Sequence, residues 1–182
     1  IIYYAEDFYV YVDGYYQKRD ELIIRGWIKD LLGRQYSSFI AKEIIECLKI
    51  AGYKSLAEVN DSPLLNLKNG LLALDSFKLS EHSPSILSTI QLPVQYDPGC
   101  PCPKWLTTLD VIFDGDKKKI QALQEFFGLC LTREQKYEKV LFLLGDGANG
   151  KSVVLYVLQE LIGKANYSAI PLEKFSSHFY LA

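Results

Sequence analysis

The order of apolar and polar residues predicts a β-hairpin close to the start of the chain. Phe8-Tyr-Val-Tyr-Val12 alternates in the manner of a strand, Asp13-Gly14 is a tight-turn dipeptide, and Tyr15–Lys18 forms the returning strand. Alternation places Tyr9 and Tyr11 on the face opposite Phe8, Val10 and Val12. Two roles remain open for this tyrosine face. It can pack on the next element or, beside Lys18 and Arg19, stack nucleic-acid bases.

Two amphipathic helices follow the hairpin. We predict the first over Leu22–Leu32, ended by Gly33, and the second from a cap at Ser38 to Gly52. The residues predicted to be buried are Ile24, Trp27, Ile28 and Leu31 in the first helix, and Ile40, Ile44, Cys47 and Leu48 in the second.

Further along, Leu64–Leu74 and Ile86–Tyr96 have the composition of two strands, joined by a polar segment that contains His82. The segment 97–103 carries prolines at positions 98, 101 and 103 and is the strongest break in the chain.

After this break the pattern becomes helical. One predicted helix buries a stripe that consists of Trp105, Leu106, Leu109, Ile112 and Phe113. A second runs from about Asp116 to Leu129 and buries Ile120, Leu123, Phe126 and Phe127. Its first turn holds Lys117–Lys119, where positive charge opposes the helix dipole. Two explanations of this lysine cluster remain open: it binds phosphates, or it forms a solvated face of the helix. Thr132–Lys139 is a polar linker.

The most informative pattern begins at Val140. Five apolar residues, Val140–Leu144, predict a buried strand, and the helical run Val153–Ile162 ends at Gly163. Between them Gly145–Ser152 fits G-x-x-x-x-G-K-[ST], the phosphate-binding loop. The motif therefore has the strand and the helix that its function requires.

Each residue type in the loop has a chemical reason. Glycine at 145, 147 and 150 lets the backbone wrap a phosphate without steric conflict, and the helix beginning at Lys151 directs its positive dipole end at the same anion. The predicted ATP-binding residues are Gly145, Asp146, Gly147, Ala148, Asn149, Gly150, Lys151 and Ser152. Lys151 is the predicted catalytic residue, because its charge can stabilise the β- and γ-phosphates, and Ser152 is the predicted Mg²⁺ ligand. A glycine-rich turn before a buried helix is the alternative.

The loop has Asn149 directly before Gly-Lys-Ser, and in this it resembles the loop of superfamily 3 helicases. It is most similar to the loop of the viral, phage and plasmid primase-helicases related to the poxvirus enzyme. Several other segments are similar to that family in the same order, namely Asn66–Leu74, Leu92–Pro98, Cys102–Trp105, Asn166–Ser168 and Ile170–Glu173.

The resemblance implies an ATP-dependent DNA helicase that forms a homohexameric ring and acts on single-stranded or forked DNA in viral, phage or plasmid replication. It also implies an AAA+-type motor whose Walker B, sensor and arginine-finger residues lie beyond Ala182. We therefore predict an α+β amino-terminal domain over 1–128, followed over 129–182 by the linker and opening strand, loop and helix of an α/β P-loop domain. By itself this stretch would be inactive in hydrolysis.

Composition narrows the remaining possibilities. The chain has 182 residues, 49% of them hydrophobic and 23% charged, which is typical of a folded protein. Its net charge of −2 requires any nucleic-acid site to be a local basic patch. No apolar run approaches the roughly 18 residues of a membrane span, and we expect a cytoplasmic location, in an infected or plasmid-bearing cell or at a viral replication site. The chain begins with Ile and contains no Met, which suggests a fragment.

Cysteine usage gives little indication of a metal site. Cys100 and Cys102 are one residue apart, which is tighter than common zinc spacing, and Cys47 and Cys130 are distant in sequence. We predict reduced, structural thiols and no zinc, with a metal site shared with other residues as the alternative.

Two other functions remain open. A P-loop kinase or other small-molecule phosphotransferase would use the same loop, although the 139 residues before the strand at Val140 are more than such an enzyme needs. A binding module that holds nucleotide or nucleic acid without hydrolysis would also account for it.

Overall fold

The computed structural model describes residues 1–132, 136–171 and 174 of the chain. Within this part there are two three-stranded antiparallel sheets and five α-helices. The chain divides into two compact units, Ile1–Tyr96 and Asp97–Ala182, and the boundary falls at the start of the proline-rich segment 97–103. The predicted division after residue 128 falls within a helix and stays a prediction. Parts of the predicted linker 132–139 and of the segment 170–173 lie outside the described residues, as does His178.

The first sheet confirms the predicted hairpin and adds a strand before it. Its strands lie in chain order: β1 (Ile2–Tyr4), β2 (Asp7–Val12) and β3 (Tyr15–Arg19). Asp13 and Gly14 both have positive φ, 52° and 90°, and Val12 pairs with Tyr15. Positive φ at both central residues is the geometry of a two-residue turn whose twist matches the strands.

The two faces of this sheet pack as the alternation predicted. Phe8 is buried against the helices that follow, whereas Tyr9 and Tyr11 pack around a separate cluster. That cluster consists of Ile2, Tyr16 and Val59. Burial raises the pKa of the Tyr16 phenol above its ordinary value. The tyrosine face is thus partly covered within its own unit, as the packing alternative predicted.

Helices α1 (Glu21–Leu32) and α2 (Ser38–Gly52) are present, but their buried stripes are narrower than predicted. Ile24 and Ile28 of α1 contact Ala41 and Ile45 of α2 in the core. The predictions were wrong for the most exposed positions, which are Trp27, Leu31, Ile40 and Cys47. Ala41 and Ile45 are the buried residues of α2, and the predicted Ile44 and Leu48 pack against the same cluster while partly buried.

The cap of α2 also differs by one residue from the prediction. The Oγ of Ser37, not Ser38, accepts a hydrogen bond from the Ile40 amide, at 3.2 Å. Ser37 has extended backbone angles and Ser38 is already helical, so only Ser37 can fold its side chain back onto the first turn.

The second sheet corrects both predicted strands of the middle segment. It consists of three short strands: β4 (Leu64–Leu67), β5 (Gly70–Ala73) and β6 (Leu79–Ser80). The predicted strand 64–74 is therefore a hairpin, which turns at Lys68 and Asn69 between the paired residues Leu67 and Gly70. Gly70 has φ 147°, and a Cβ there would overlap the Ser80 carbonyl oxygen of β6. The predicted strand 86–96 is irregular and joins the sheet through a single bridge between Leu67 and Leu92.

Polar side chains of this middle segment hold the tip of the β2–β3 hairpin. The buried Asn66 donates from Nδ2 to the Gly14 carbonyl at 2.9 Å, and Gln91 Nε2 donates to the Asp13 carbonyl at 2.9 Å. The imidazole of His82 covers Gly14 so closely that a Cβ there would lie 2.7 Å from the ring. The two sheets of the first unit are therefore joined at the turn.

The second unit is helical in its described part and contains three helices: α3 (Pro103–Ile112), α4 (Lys117–Leu131) and α5 (Lys151–Ile162). Each contributes one buried residue to a shared cluster: Leu109, Leu123 and Val154. Most of the predicted stripe packs there, including Trp105, Ile112, Phe113, Ile120 and Phe127. Leu106 is exposed, contrary to the prediction, because it lies on the outer side of α3.

Candidate phosphate-binding loop

The segment before the loop is not hydrogen-bonded into a sheet. Residues 140–144 carry no strand assignment, so the predicted strand is absent as a paired element in the described part. Its side chains nevertheless alternate: Leu141 and Leu143 pack on the helical cluster, while Val140, Phe142 and Leu144 are exposed. Among the described residues the second unit offers no other strand to pair with it, which explains the difference.

The loop itself has the backbone conformation that its glycines make accessible. Gly147 and Gly150 have φ of 109° and 82°, and Ala148 between them also has positive φ, 46°. Gly150 is the residue before α5 in the left-handed conformation, so the helix begins at Lys151 as the motif predicted. Gly145 lies close to the Asn149 side-chain amide, which would have to move if a Cβ were present there.

Lys151 is held at the mouth of this loop. Its Nζ donates to the Gly145 carbonyl oxygen at 2.9 Å and to Asn149 Oδ1 at 2.7 Å. Asn149, one of the predicted ATP-binding residues, thus contacts the lysine directly. Both contacts are to neutral oxygens, and an anionic phosphate oxygen is a stronger partner for an ammonium group. The geometry fits a phosphate that takes over these contacts.

Two other polar residues of the loop are exposed. Ser152 follows Lys151 in the first turn of α5. Asp146 follows Gly145 at the start of the loop. Their ligands stay predictions.

Helix α3 contacts the loop, and no pattern in the sequence predicted this contact. A Cβ at Gly150 would lie 2.5 Å from Cδ1 and Cγ1 of Ile112, the last residue of α3. Gly150 is therefore constrained twice, by its left-handed backbone and by the close approach of this side chain.

A cavity of about 490 Å³ opens beside the loop, within the second unit. It lies between the end of α3, one side of α4 and the segment before the loop. Its lining residues are Ile112, Phe113, Asp114, Lys119, Ala122, Leu123, Leu141, Phe142, Leu143, Leu144, Asn149, Lys151 and Val154. The wall is mostly apolar, and its polar groups include the Lys151 ammonium.

The lysine cluster at the start of α4 is compensated by acids nearby. Lys117 pairs with Asp110 at 2.5 Å and Lys119 with Asp116 at 3.1 Å. Asp116 also caps the helix, accepting from the amides of Lys118 and Lys119. The hydrogen bond from Lys119 is the main cause that lowers the pKa of the Asp116 carboxyl. These contacts offset the unfavourable helix-end charge, and phosphate binding by the cluster stays a hypothesis.

The cysteines are unpaired thiols. Cys47, Cys100 and Cys102 are exposed, and burial raises the pKa of the Cys130 thiol. Within the part of the chain that the structure describes, no three His, Cys, Asp or Glu residues form a cluster that could hold a metal. The absence of zinc stays a prediction for elemental analysis.

No described helix combines the length and apolar character needed to cross a membrane.

These observations define a mixed α/β chain with two small antiparallel sheets and, among the described residues, five helices. The family model "D5 N terminal like" matches residues 1–114, and the chain belongs to this family. The family is the amino-terminal domain of D5-like primase-helicase proteins, which supports a replication-related role at a coarse level. The predicted resemblance is confirmed at this level, and the superfamily 3 assignment stays a prediction. No curated protein matches the chain.

Proposed function

We propose that this chain belongs to an ATP-dependent DNA helicase of viral, phage or plasmid replication, and that its loop 145–152 binds the triphosphate of ATP. The observation that carries the proposal is the position of Lys151. Its ammonium group lies at the N-terminus of α5, over a loop whose glycines adopt left-handed or crowded conformations. A concentrated positive field beside an open backbone is suited to a phosphate group.

The family match supplies the second support. Residues 1–114 belong to a domain of D5-like primase-helicase proteins, and the loop follows that domain in the same chain. A replication protein that carries a triphosphate loop after this domain is most simply a motor. Single-stranded or forked DNA as partner, a homohexameric ring and location at replication sites are part of the same proposal.

The roles proposed within the loop follow from chemistry. Lys151 donates to the β- and γ-phosphates and stabilises the charge that develops there. Ser152 provides a hydroxyl for Mg²⁺, a hard ion that prefers oxygen ligands. The bound Mg²⁺ would neutralise phosphate charge during transfer. Asn149, which now accepts from Lys151, is placed to release it when a phosphate binds.

A matched pair of lysine variants tests the triphosphate role. Lys151→Ala should weaken binding of a fluorescent ATP analogue about 10- to 100-fold, since charge-assisted hydrogen bonds contribute about 1.5–3 kcal/mol. Lys164→Ala removes an exposed lysine just after α5 and should change the affinity less than twofold. Circular dichroism should show an unchanged fold for both. Equal affinity of Lys151→Ala and the parent chain would reject the assignment.

Measurements on the protein with any further motor domain distinguish the helicase from its rivals. The helicase proposal predicts phosphate release that rises when single-stranded DNA is added. A phosphotransferase would instead consume ATP only with a small-molecule acceptor, and a binding module would hold ATP without releasing phosphate.

A further inference from the structure

The backbone of Gly150 sets the direction in which the loop enters α5. Gly150 has φ 82° and directly precedes Lys151, the first residue of the helix. Its carbonyl oxygen accepts a hydrogen bond from the Val154 amide at 3.0 Å. A rotation of the backbone at Gly150 would therefore turn the loop relative to the N-terminus of α5.

Glycine permits this left-handed conformation but does not enforce it. A glycine residue adopts positive and negative φ about equally readily, because it has no Cβ. If nothing else restrained Gly150, its conformational freedom would be lost each time a ligand bound, and the affinity would fall accordingly. A neighbouring group that holds this backbone in place beforehand removes that cost.

The side chain of Ile112 lies directly against Gly150. The three heavy atoms nearest to the position of a Cβ at Gly150 all belong to Ile112: Cδ1 and Cγ1 at 2.5 Å, and Cβ at 3.7 Å. Ile112 is the last residue of α3, and a β-branched side chain in a helix is largely confined to one χ1 rotamer. It therefore presents a stiff surface to the glycine.

Ile112 is itself fixed by the end of α3 and by the core of the second unit. The Phe113 amide donates to the Leu109 carbonyl at 3.0 Å, and the Gly115 amide donates to the Asp110 carbonyl at 2.8 Å. Ile112 packs on the buried cluster that α3, α4 and α5 share. The contact with the loop thus comes from a side chain whose backbone and surroundings are both held.

We propose that Ile112 is a positioning residue of the phosphate-binding loop: its side chain holds Gly150 in the left-handed conformation in which the loop binds a triphosphate. The inference rests on the proposed triphosphate role of the loop and extends it to a residue outside the motif. Ile112 lies within residues 1–114 of the family match, whereas the loop lies outside them. The matched segment thus supports the site through the loop backbone.

Truncation of two isoleucines of the same cluster separates positioning from packing. Ile112→Ala removes both atoms nearest Gly150 and should weaken binding of inorganic tripolyphosphate about five- to thirtyfold, which corresponds to ordering one backbone residue on binding. Ile120 is also half-buried and packs on the same cluster, but none of its atoms is among those nearest Gly150. Ile120→Ala should therefore change the affinity less than about twofold.

A milder pair of variants decides the test if Ile112→Ala does not fold by circular dichroism. Ile112→Val removes Cδ1 but keeps Cγ1, so it should weaken tripolyphosphate binding about two- to threefold. Ile120→Val should leave the affinity unchanged. ATP should lose affinity by the same factor as tripolyphosphate in each Ile112 variant, because the change acts through the loop. Lys151→Ala should weaken both ligands.

The possible failures of this test are distinguishable. Equal effects of the Ile112 and Ile120 substitutions would show packing alone and overturn the inference, while leaving the phosphate loop intact. A loss confined to ATP would also overturn it, because Ile112 would then act on the nucleoside. Failure of the parent chain to bind either ligand, or an unchanged affinity of Lys151→Ala, would reject the proposed function itself.

Discussion

Gly150 joins the loop to α3, and its replacement by alanine gives a quantitative test of the second unit. The matched control is Gly115→Ala. Both glycines have left-handed backbones, with φ of 82° and 70°. A Cβ at Gly115 would have no atom within 4 Å, whereas a Cβ at Gly150 would lie 2.5 Å from Ile112. The two substitutions therefore share the backbone cost and differ in the steric one.

The expected magnitudes follow from these two costs. A left-handed conformation costs an L-residue roughly 1–2 kcal/mol, which is the full expected effect of Gly115→Ala. Forcing an extra methyl group into a packed contact adds about 1–3 kcal/mol, so Gly150→Ala should lower the free energy of unfolding by about 2–5 kcal/mol. Combining it with Ile112→Ala removes the overlap, and the double variant should be more stable than the two single effects summed.

Tryptophan fluorescence can report the second unit alone. The chain has two tryptophans, and Trp105 of α3 stacks on Phe127 with ring centroids 6.2 Å apart. Trp27→Phe, at an exposed position of the first unit, leaves Trp105 as the sole reporter during urea unfolding. If Gly150→Ala proves no more destabilising than Gly115→Ala, the contact between Ile112 and the loop is refuted.

Two further predictions concern the first unit. Ile45→Ala should lower the free energy of unfolding by about 2–5 kcal/mol, because the Ile45 side chain is fully buried. Ile50→Ala, on the exposed side of the same helix, should change it by less than about 0.5 kcal/mol. Equal effects of the two substitutions in urea unfolding would contradict the packing of α2. The hydrogen bond from Arg25 lowers the pKa of Glu21, and Lys49 adds to this effect. The ionised Glu21 carboxylate therefore stabilises the folded chain above its ordinary pKa of 4.5, and this stabilisation is lost as pH falls through the lower pKa of the folded state. Glu21→Gln should therefore cost roughly 0.2–1 kcal/mol at neutral pH and nothing once the carboxylate is protonated, and a difference that persists in acid would contradict this.

Local signals in the sequence predicted the elements that depend on local physics. The Asp13-Gly14 turn and the end of α1 at Gly33 are present because those residues accept positive φ at low cost. The start of α5 at Lys151 follows from Gly150 in the same way. Motif spacing likewise identified Lys151 and Ser152 as neighbours at a helix N-terminus.

Features that depend on tertiary contacts were beyond the sequence pattern. Periodicity could not tell that Ala41 would be buried in the core beside Ile45 while Ile40 stays exposed. It also could not show that Lys68 and Asn69 form a turn that divides the predicted strand into two paired strands. The contact of Ile112 with Gly150 joins residues 38 positions apart, and no local rule relates them.

The contacts at the tip of the β2–β3 hairpin restrict how the first unit can move. A β-hairpin free at its turn can swing about its base as an arm and reach for a partner. Here Asn66 and Gln91 bond the turn carbonyls and His82 covers Gly14. Any displacement of the tip breaks these contacts together, and it uncovers an otherwise buried amide at Asn66. The two sheets of this unit therefore move as one rigid body, because these polar contacts hold the turn of one sheet against residues of the middle segment.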